Sequence, residues 1–290
     1  FYEILNRGQK RAICRVNSGP AVNTADTAGD AGTGYLMNEG YTIVWTGWQD
    51  DVTRDAGRMR ADYPVATNGS VPITGACLEE FISEANQASF VGALAYPAAN
   101  LDEEATLTVR LRERDDRQTP ADLSWRYLDD RRVEITRPSG DAFDGGAIYE
   151  FIYTAKNPTV AGLAFASVRD VASFLRNKGA DNPLAQDGTP PQRAMLFGLS
   201  QSGRFVRDFL YQGFNEALAG GQVFQVAAPV IAGSRKTFIN QAFTQAGRYQ
   251  RQHEDHNYPG DQFPFTYRTL TDPISGLTDG LLERCEAVGV

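Results

Sequence analysis

The sequence predicts an α/β fold, a parallel central sheet flanked by helices, interrupted by a β-rich insertion. Three observations point to it. Short apolar runs bounded by Gly or Pro, such as Ala194-Met195-Leu196-Phe197, alternate with segments of three-to-four periodicity. Strands alternating with helices in this way make a parallel sheet. From about Asp51 to Gly146 the pattern changes to period-two runs separated by Pro, Gly and Asp clusters. Finally, residues 193–211 run from an apolar strand through a Gly/Ser turn directly into an amphipathic helix.

Taken in order, Phe1 to Leu5 reads as a strand already running at the first residue, as if a front end were missing. Asn6-Arg7-Gly8 makes a turn, and residues 17–34, rich in Asn, Asp, Gly, Ala and Thr, read as loop. Tyr35-Leu36-Met37 is a short helix closed by Gly40, and Tyr41 to Trp45, leading to Trp48, is a buried strand. Residues 52–146 form the insertion, with strands at 105–112, 123–127 and 132–136 and one helix around Leu78 to Ala85. Ala147 to Tyr153 is a further strand, either a fifth in the main sheet or the closing strand of the insertion. Val160 to Leu175 is a helix with Leu163, Ala166, Val168, Val171 and Phe174 as its apolar positions. After the strand, turn and helix of residues 193–211, Val223 to Gly233 is a strand kinked or ended by Pro229. The expected division is therefore a core of 1–50 and 147–290, with a lid-like region at 234–290 around the aromatic run Phe263 to Tyr267, and an insertion at 52–146.

Composition narrows the classes of function. With 42% hydrophobic and 22% charged residues, the 290-residue chain has the make-up of a soluble globular protein. No stretch reaches the roughly 18 to 20 apolar residues of a membrane span. A net charge of −8 with no Lys/Arg cluster argues against nucleic acid and anionic membranes as partners. Cys14, Cys77 and Cys285 match no metal-ligand spacing and leave one unpaired if two join. No motif calls for a cofactor. The chain begins at Phe1, not Met, so it reads as processed or cut, and an extracytoplasmic location is open if an upstream signal was lost.

The chemistry gathers at Gly198-Leu-Ser-Gln-Ser-Gly203. A serine on a sharp strand-to-helix turn is a nucleophile elbow. The tight turn imposes strained backbone angles on Ser200, so Gly198, Ser202 and Gly203 around it must be small, although the usual Gly at plus two is Ser202 here. The helix N-terminus would direct N–H groups and partial positive charge at a developing oxyanion. The plain alternative is a solvated serine on a surface turn. The strand before and the helix after favour the elbow.

The stretch Gly198 to Asn215 resembles a bacterial α/β-hydrolase-domain family whose members mostly lack a defined substrate. Tyr2 to Gly8, Glu39 to Gln49, Pro229 to Arg235 and Gln252 to Phe265 agree with it. The resemblance runs nearly end to end and implies an α/β-hydrolase fold, a serine nucleophile at Ser200 and hydrolysis of small-molecule carboxylic esters through an acyl-enzyme. It implies the backbone N–H of Gln201 as one oxyanion donor. The second should come from the loop after the strand beside the elbow strand. If that strand is Phe1 to Leu5, the donor is Arg7; if it is Tyr41 to Trp45, the donor is Trp48. The resemblance also implies that the family continues at both ends, so this chain reads as an internal fragment without the trailing strands that deliver acid and histidine.

His253 and His256 are the two histidines. His253 is the candidate base, but no carboxylate ends the strand near Gly233, so both histidines also fit a lid loop paired with Glu254 or Asp255. Two other readings stand beside hydrolysis. One is a hydrolase-fold protein that binds a ligand without turnover. The other is a metal-binding module using His253 and His256, with Asp272 to Asp279 as a possible calcium turn.

Overall fold

The computed structural model describes residues 1–5, 7–8, 33–52, 58–82, 87–246 and 261–290. In chain order the strands are β1 (Tyr2–Ile4), β2 (Val44–Thr46), β3 (Thr67–Asn68), β4 (Val71–Pro72), β5 (Thr74–Ile82), β6 (Ser89–Ala93), β7 (Thr106–Arg110), β8 (Ser124–Asp129), β9 (Arg132–Thr136), β10 (Ile148–Lys156), β11 (Met195–Leu199), β12 (Val226–Val230), β13 (Leu270–Thr271) and β14 (Thr278–Asp279). The helices are α1 (Tyr35–Asn38), α2 (Leu163–Leu175), α3 (Gln201–Tyr211) and α4 (Glu283–Glu286). The chain divides into two compact units. One comprises Phe1–Asp62, Ala161–Phe238 and Gly260–Val290, the other Tyr63–Val160 and Ile239–Pro259.

The first unit holds a four-stranded, wholly parallel sheet in the order β12-β11-β1-β2. Tyr2, Glu3 and Ile4 of β1 are all buried, as befits a strand with neighbours on both sides in a parallel sheet. Glu3 is held there by the indole N–H of Trp45, which donates to its Oε2 at 3.0 Å. Pro229 does not end β12. It lies opposite Gly198 in the edge strand, where a missing N–H costs no ladder bond on the outer side. α3 packs on β11 and β12, burying Phe205, Val206, Phe209 and Leu210 at the spacing the sequence predicts. α2 buries a different face from the one expected: Ala164, Phe165, Val168 and Ala172 are inside, while Leu163, Val171 and Phe174 are exposed. Two alanines let this face approach closely, and Phe165 stacks against Phe205 and Phe214, with ring centroids 4.9 and 5.4 Å apart.

The second unit is β-rich and antiparallel. β5-β10-β7 form one three-stranded sheet and β6-β9-β8 another, around a core that includes Phe81, Phe143, Tyr149 and Phe151. One expectation is corrected here, and one choice is decided. The segment from Leu78 onward is strand, not helix, up to Ile82; residues 83–86 lie outside the described residues. It is paired with β10 along all nine residues, with Cys77 and Phe81 turned into the core. The strand at 147–153 takes the second of its two expected places, pairing within this unit and not in the parallel sheet, and the compact units divide after Asp62 and after Val160. Part of the expected lid region, Ile239–Pro259, also groups with the β-rich unit. Near the start of β10, Glu150 is fully buried and accepts from Arg117 at 2.7 and 3.0 Å and from Arg110 at 3.0 Å. No described helix is long and apolar enough to cross a membrane.

Candidate functional site

Ser200 joins the C-terminal end of β11 to the first turn of α3, with φ 58° and ψ −114°. Such angles are sparsely populated for any residue with a Cβ and cost about 1–3 kcal/mol, so the surrounding structure must enforce them. It does so from both sides. The Ser200 N–H donates to Val230 O at 2.9 Å, and the Ser200 carbonyl accepts the Arg204 N–H at 3.1 Å. The neighbouring glycines are sterically required. A Cβ on Gly198 would lie 2.2 Å from Ser202 O, and one on Gly203 would lie 2.8 Å from Val230 O.

The half-buried Ser200 stands at the N-terminus of an eleven-residue helix with no acidic residue in its first turn. The helix itself therefore supplies nothing that neutralises the positive end of its dipole, which favours negative charge beside Ser200. Gln201 follows at the first helical position and is buried. Among the described residues Ser200 Oγ has no hydrogen-bond partner. His253 and His256, with the possible metal ligands around them, lie outside the described residues.

The loops after β1 and β2 supply the rest of the surroundings. β1, not β2, is the neighbour of β11, so the loop beside the elbow strand is the one carrying Arg7 and Gly8. Arg7 adopts φ 54°, and its N–H donates to Oε1 of buried Gln49 at 3.0 Å. Trp48 lies one strand farther away, and its indole N–H donates to Ser202 Oγ at 3.1 Å with both groups buried. Its ring lies 4.9 Å from that of Phe205 on α3. Residues 58–61 form a strap over both loops: Met59 N–H bonds Gly8 O at 2.9 Å, and Ala61 N–H bonds Gln49 O at 3.0 Å. Gly8 and Gly47 face the same Met59 carbonyl, which a Cβ would approach to 2.5 and 2.4 Å respectively.

Sequence reasoning missed Gln49 and the anchoring of Asp208. Asp208 sits two turns along α3, almost fully buried, and its Oδ2 accepts both the N–H and the hydroxyl of Thr237. Burial pushes its carboxyl up to about 6, against the lowering influence of Thr237, Lys236 and Arg207. The residue thus ties α3 to the segment after β12. Neither Gln49 nor Asp208 belongs to a motif; only the pairing of distant segments reveals them. The turn at 272–279 links β13 to β14, with the Asp272 carboxylate accepting from Ser275 N–H at 2.9 Å and Asp279 Oδ2 accepting from Tyr211 OH at 2.8 Å. Its carboxylates hold the hairpin and its neighbour α3. Among the described residues no group of three or more His, Cys, Asp and Glu side chains is placed to hold a metal ion.

A family model described as Alpha/beta hydrolase domain matches residues 82–272, well over half of the chain, including β11, Ser200 and α3. No curated protein and no solved structure matches the sequence.

Proposed function

The chain belongs to the alpha/beta hydrolase domain family, and from that premise we propose that it hydrolyses small-molecule carboxylic esters through an acyl-enzyme on Ser200. The observation that carries this reading is the backbone of Ser200 itself, held at φ 58° and ψ −114° between a parallel strand and a helix by two sterically required glycines. Strain of that kind clusters where a function needs it, and here it falls on a serine at the C-terminal end of β11.

In the proposed reaction Ser200 Oγ attacks the ester carbonyl carbon, and its proton passes to a general base, for which His253 is the sequence's candidate. The carbonyl oxygen becomes an oxyanion at the N-terminus of α3, where the Gln201 N–H and the helix dipole stabilise it. The second donor we assign to Arg7, in the loop after β1, whose N–H would exchange the Gln49 amide oxygen for the oxyanion. Collapse breaks the bond to the alcohol oxygen, which leaves with a proton. Water then attacks the acyl-serine and releases the acid.

Replacing Ser200 by Ala in the full-length protein is the test. Loss of hydrolysis, together with loss of covalent labelling by a serine-directed phosphonate, supports the reading; undiminished hydrolysis overturns it. A panel of esters graded by acyl length then defines the substrate.

A further inference from the structure

We propose that Trp48 and Gln49 are positioning residues: Trp48 fixes the elbow, Gln49 holds the loop after β1 until the oxyanion takes over the Arg7 N–H, and Ser202 replaces the usual elbow glycine because its hydroxyl accepts the hydrogen bond of the Trp48 indole N–H. The inference rests on Ser200 being the nucleophile and adds how its turn is held.

Three observations converge on this dipeptide. The Trp48 indole N–H ends on Ser202 Oγ at 3.1 Å, only two residues beyond Ser200, in a place where both partners are essentially out of solvent. A buried N–H without an acceptor costs about 1–3 kcal/mol, so the bond strongly favours one position of the first turn of α3 relative to the β2 loop. The indole ring also rests on Phe205, one turn farther along, so the helix is braced at two successive points. The next residue, Gln49, accepts the Arg7 N–H through its side chain and the Ala61 N–H through its backbone carbonyl. One dipeptide therefore touches both segments assigned to the oxyanion site. Its chemistry suits that place: the Gln49 amide oxygen accepts from Arg7 while its amide N–H donates to Asp51 Oδ1 at 3.4 Å, and a carboxylate at 49 would lose that donor and set a second negative charge beside Asp51.

The test uses the full-length protein and the second-order rate of phosphonate labelling at Ser200, with melting temperature measured in parallel. Trp48→Phe keeps the ring and deletes the donor; Ser202→Ala deletes the acceptor. Each should slow labelling and lower kcat on the order of tenfold to a hundredfold with KM little changed, since a small misplacement of the nucleophile is costly. The double variant should be no slower than the worse single variant, because both changes remove one interaction. Gln49→Glu, which keeps an oxygen for Arg7 but loses the donor to Asp51 and adds charge beside it, should lower kcat by a comparable factor. Independently of turnover, the Trp48 indole proton should exchange slowly with solvent in the wild type and faster in Ser202→Ala. Normal labelling rates in folded Trp48→Phe and Ser202→Ala would reduce the pair to ordinary packing and overturn the proposal. Labelling that persists in Ser200→Ala would instead overturn the nucleophile assignment, and this proposal with it.

Discussion

Both donors of Thr237, its N–H and its hydroxyl, end on a single oxygen of Asp208, each at 2.5 Å. The carboxylate so engaged is nonetheless pushed up to about 6 from an ordinary 3.8, because burial outweighs the two hydrogen bonds and the nearby Lys236 and Arg207. A carboxyl whose folded pKa is raised stabilises the fold below its unfolded pKa, and that contribution disappears as pH rises through the folded value. The difference amounts to on the order of 3 kcal/mol across the interval. Asp208→Asn retains an oxygen for Thr237 and removes the charge. We expect the wild type to lose stability relative to this variant between about pH 4 and pH 6 and to track it above. Urea midpoints at a series of pH values give the answer, and parallel curves throughout would refute it.

Ser200 provides a second prediction. Ser200→Ala keeps a Cβ at a positive φ, whereas Ser200→Gly releases the strain. Both should lose activity on the order of a millionfold in the intact enzyme. Ser200→Gly should nevertheless melt higher than Ser200→Ala, by the equivalent of about 1–2 kcal/mol. Equal melting temperatures would mean that the turn is not strained.

Gly198→Ala is the corresponding steric experiment. The added methyl would lie 2.2 Å from the Ser202 carbonyl and 2.8 Å from Val206 Cγ2. Overpacking at such a point typically costs about 1–3 kcal/mol and here would also shift Ser200. Lower stability with sharply reduced phosphonate labelling is the expected pair of results; a variant with normal labelling would show that the turn yields elsewhere.

In the β-rich unit, Glu150→Gln should destabilise by about 3 kcal/mol, since it neutralises the fully buried carboxylate that Arg110 and Arg117 share. Arg117→Gln should cost less, because that side chain is 42% exposed and can be hydrated. Chemical denaturation of the two variants ranks them, and the reverse order would contradict the burial argument.

Where chemistry and local geometry coincide, the sequence was readable. The apolar run 194–197 became β11, the phenylalanines of α3 faced inward, and the strands at 106–110, 124–129 and 132–136 lay where their alternation put them. Reading failed where long-range partners decide. Glu79 and Glu80 look like solvent-facing helix residues, yet both are buried in β5, where Oε1 of Glu79 accepts the Ala95 N–H. An apolar run such as Ile148 to Tyr153 announces a strand without announcing which sheet will take it. On α2, three exposed apolar residues masqueraded as the buried stripe. At the candidate site Ser200 and its glycines were visible because turn sterics restrict residue type. Gln49 was invisible because any glutamine in a loop looks the same until Arg7 is placed beside it.

The strap at Met59 has a consequence for how this protein can drift. Two loops present glycines to one main-chain carbonyl, and Gly8 O is further bound to the Met59 N–H, so of the side chain at 59 only Cβ, 3.1 Å from where a Cβ on Gly47 would stand, shares in these constraints. Homologues should therefore vary freely at 59, apart from excluding proline, while Gly8 and Gly47 stay invariant together. A saturation library across the three positions would display that asymmetry as one permissive column between two closed ones.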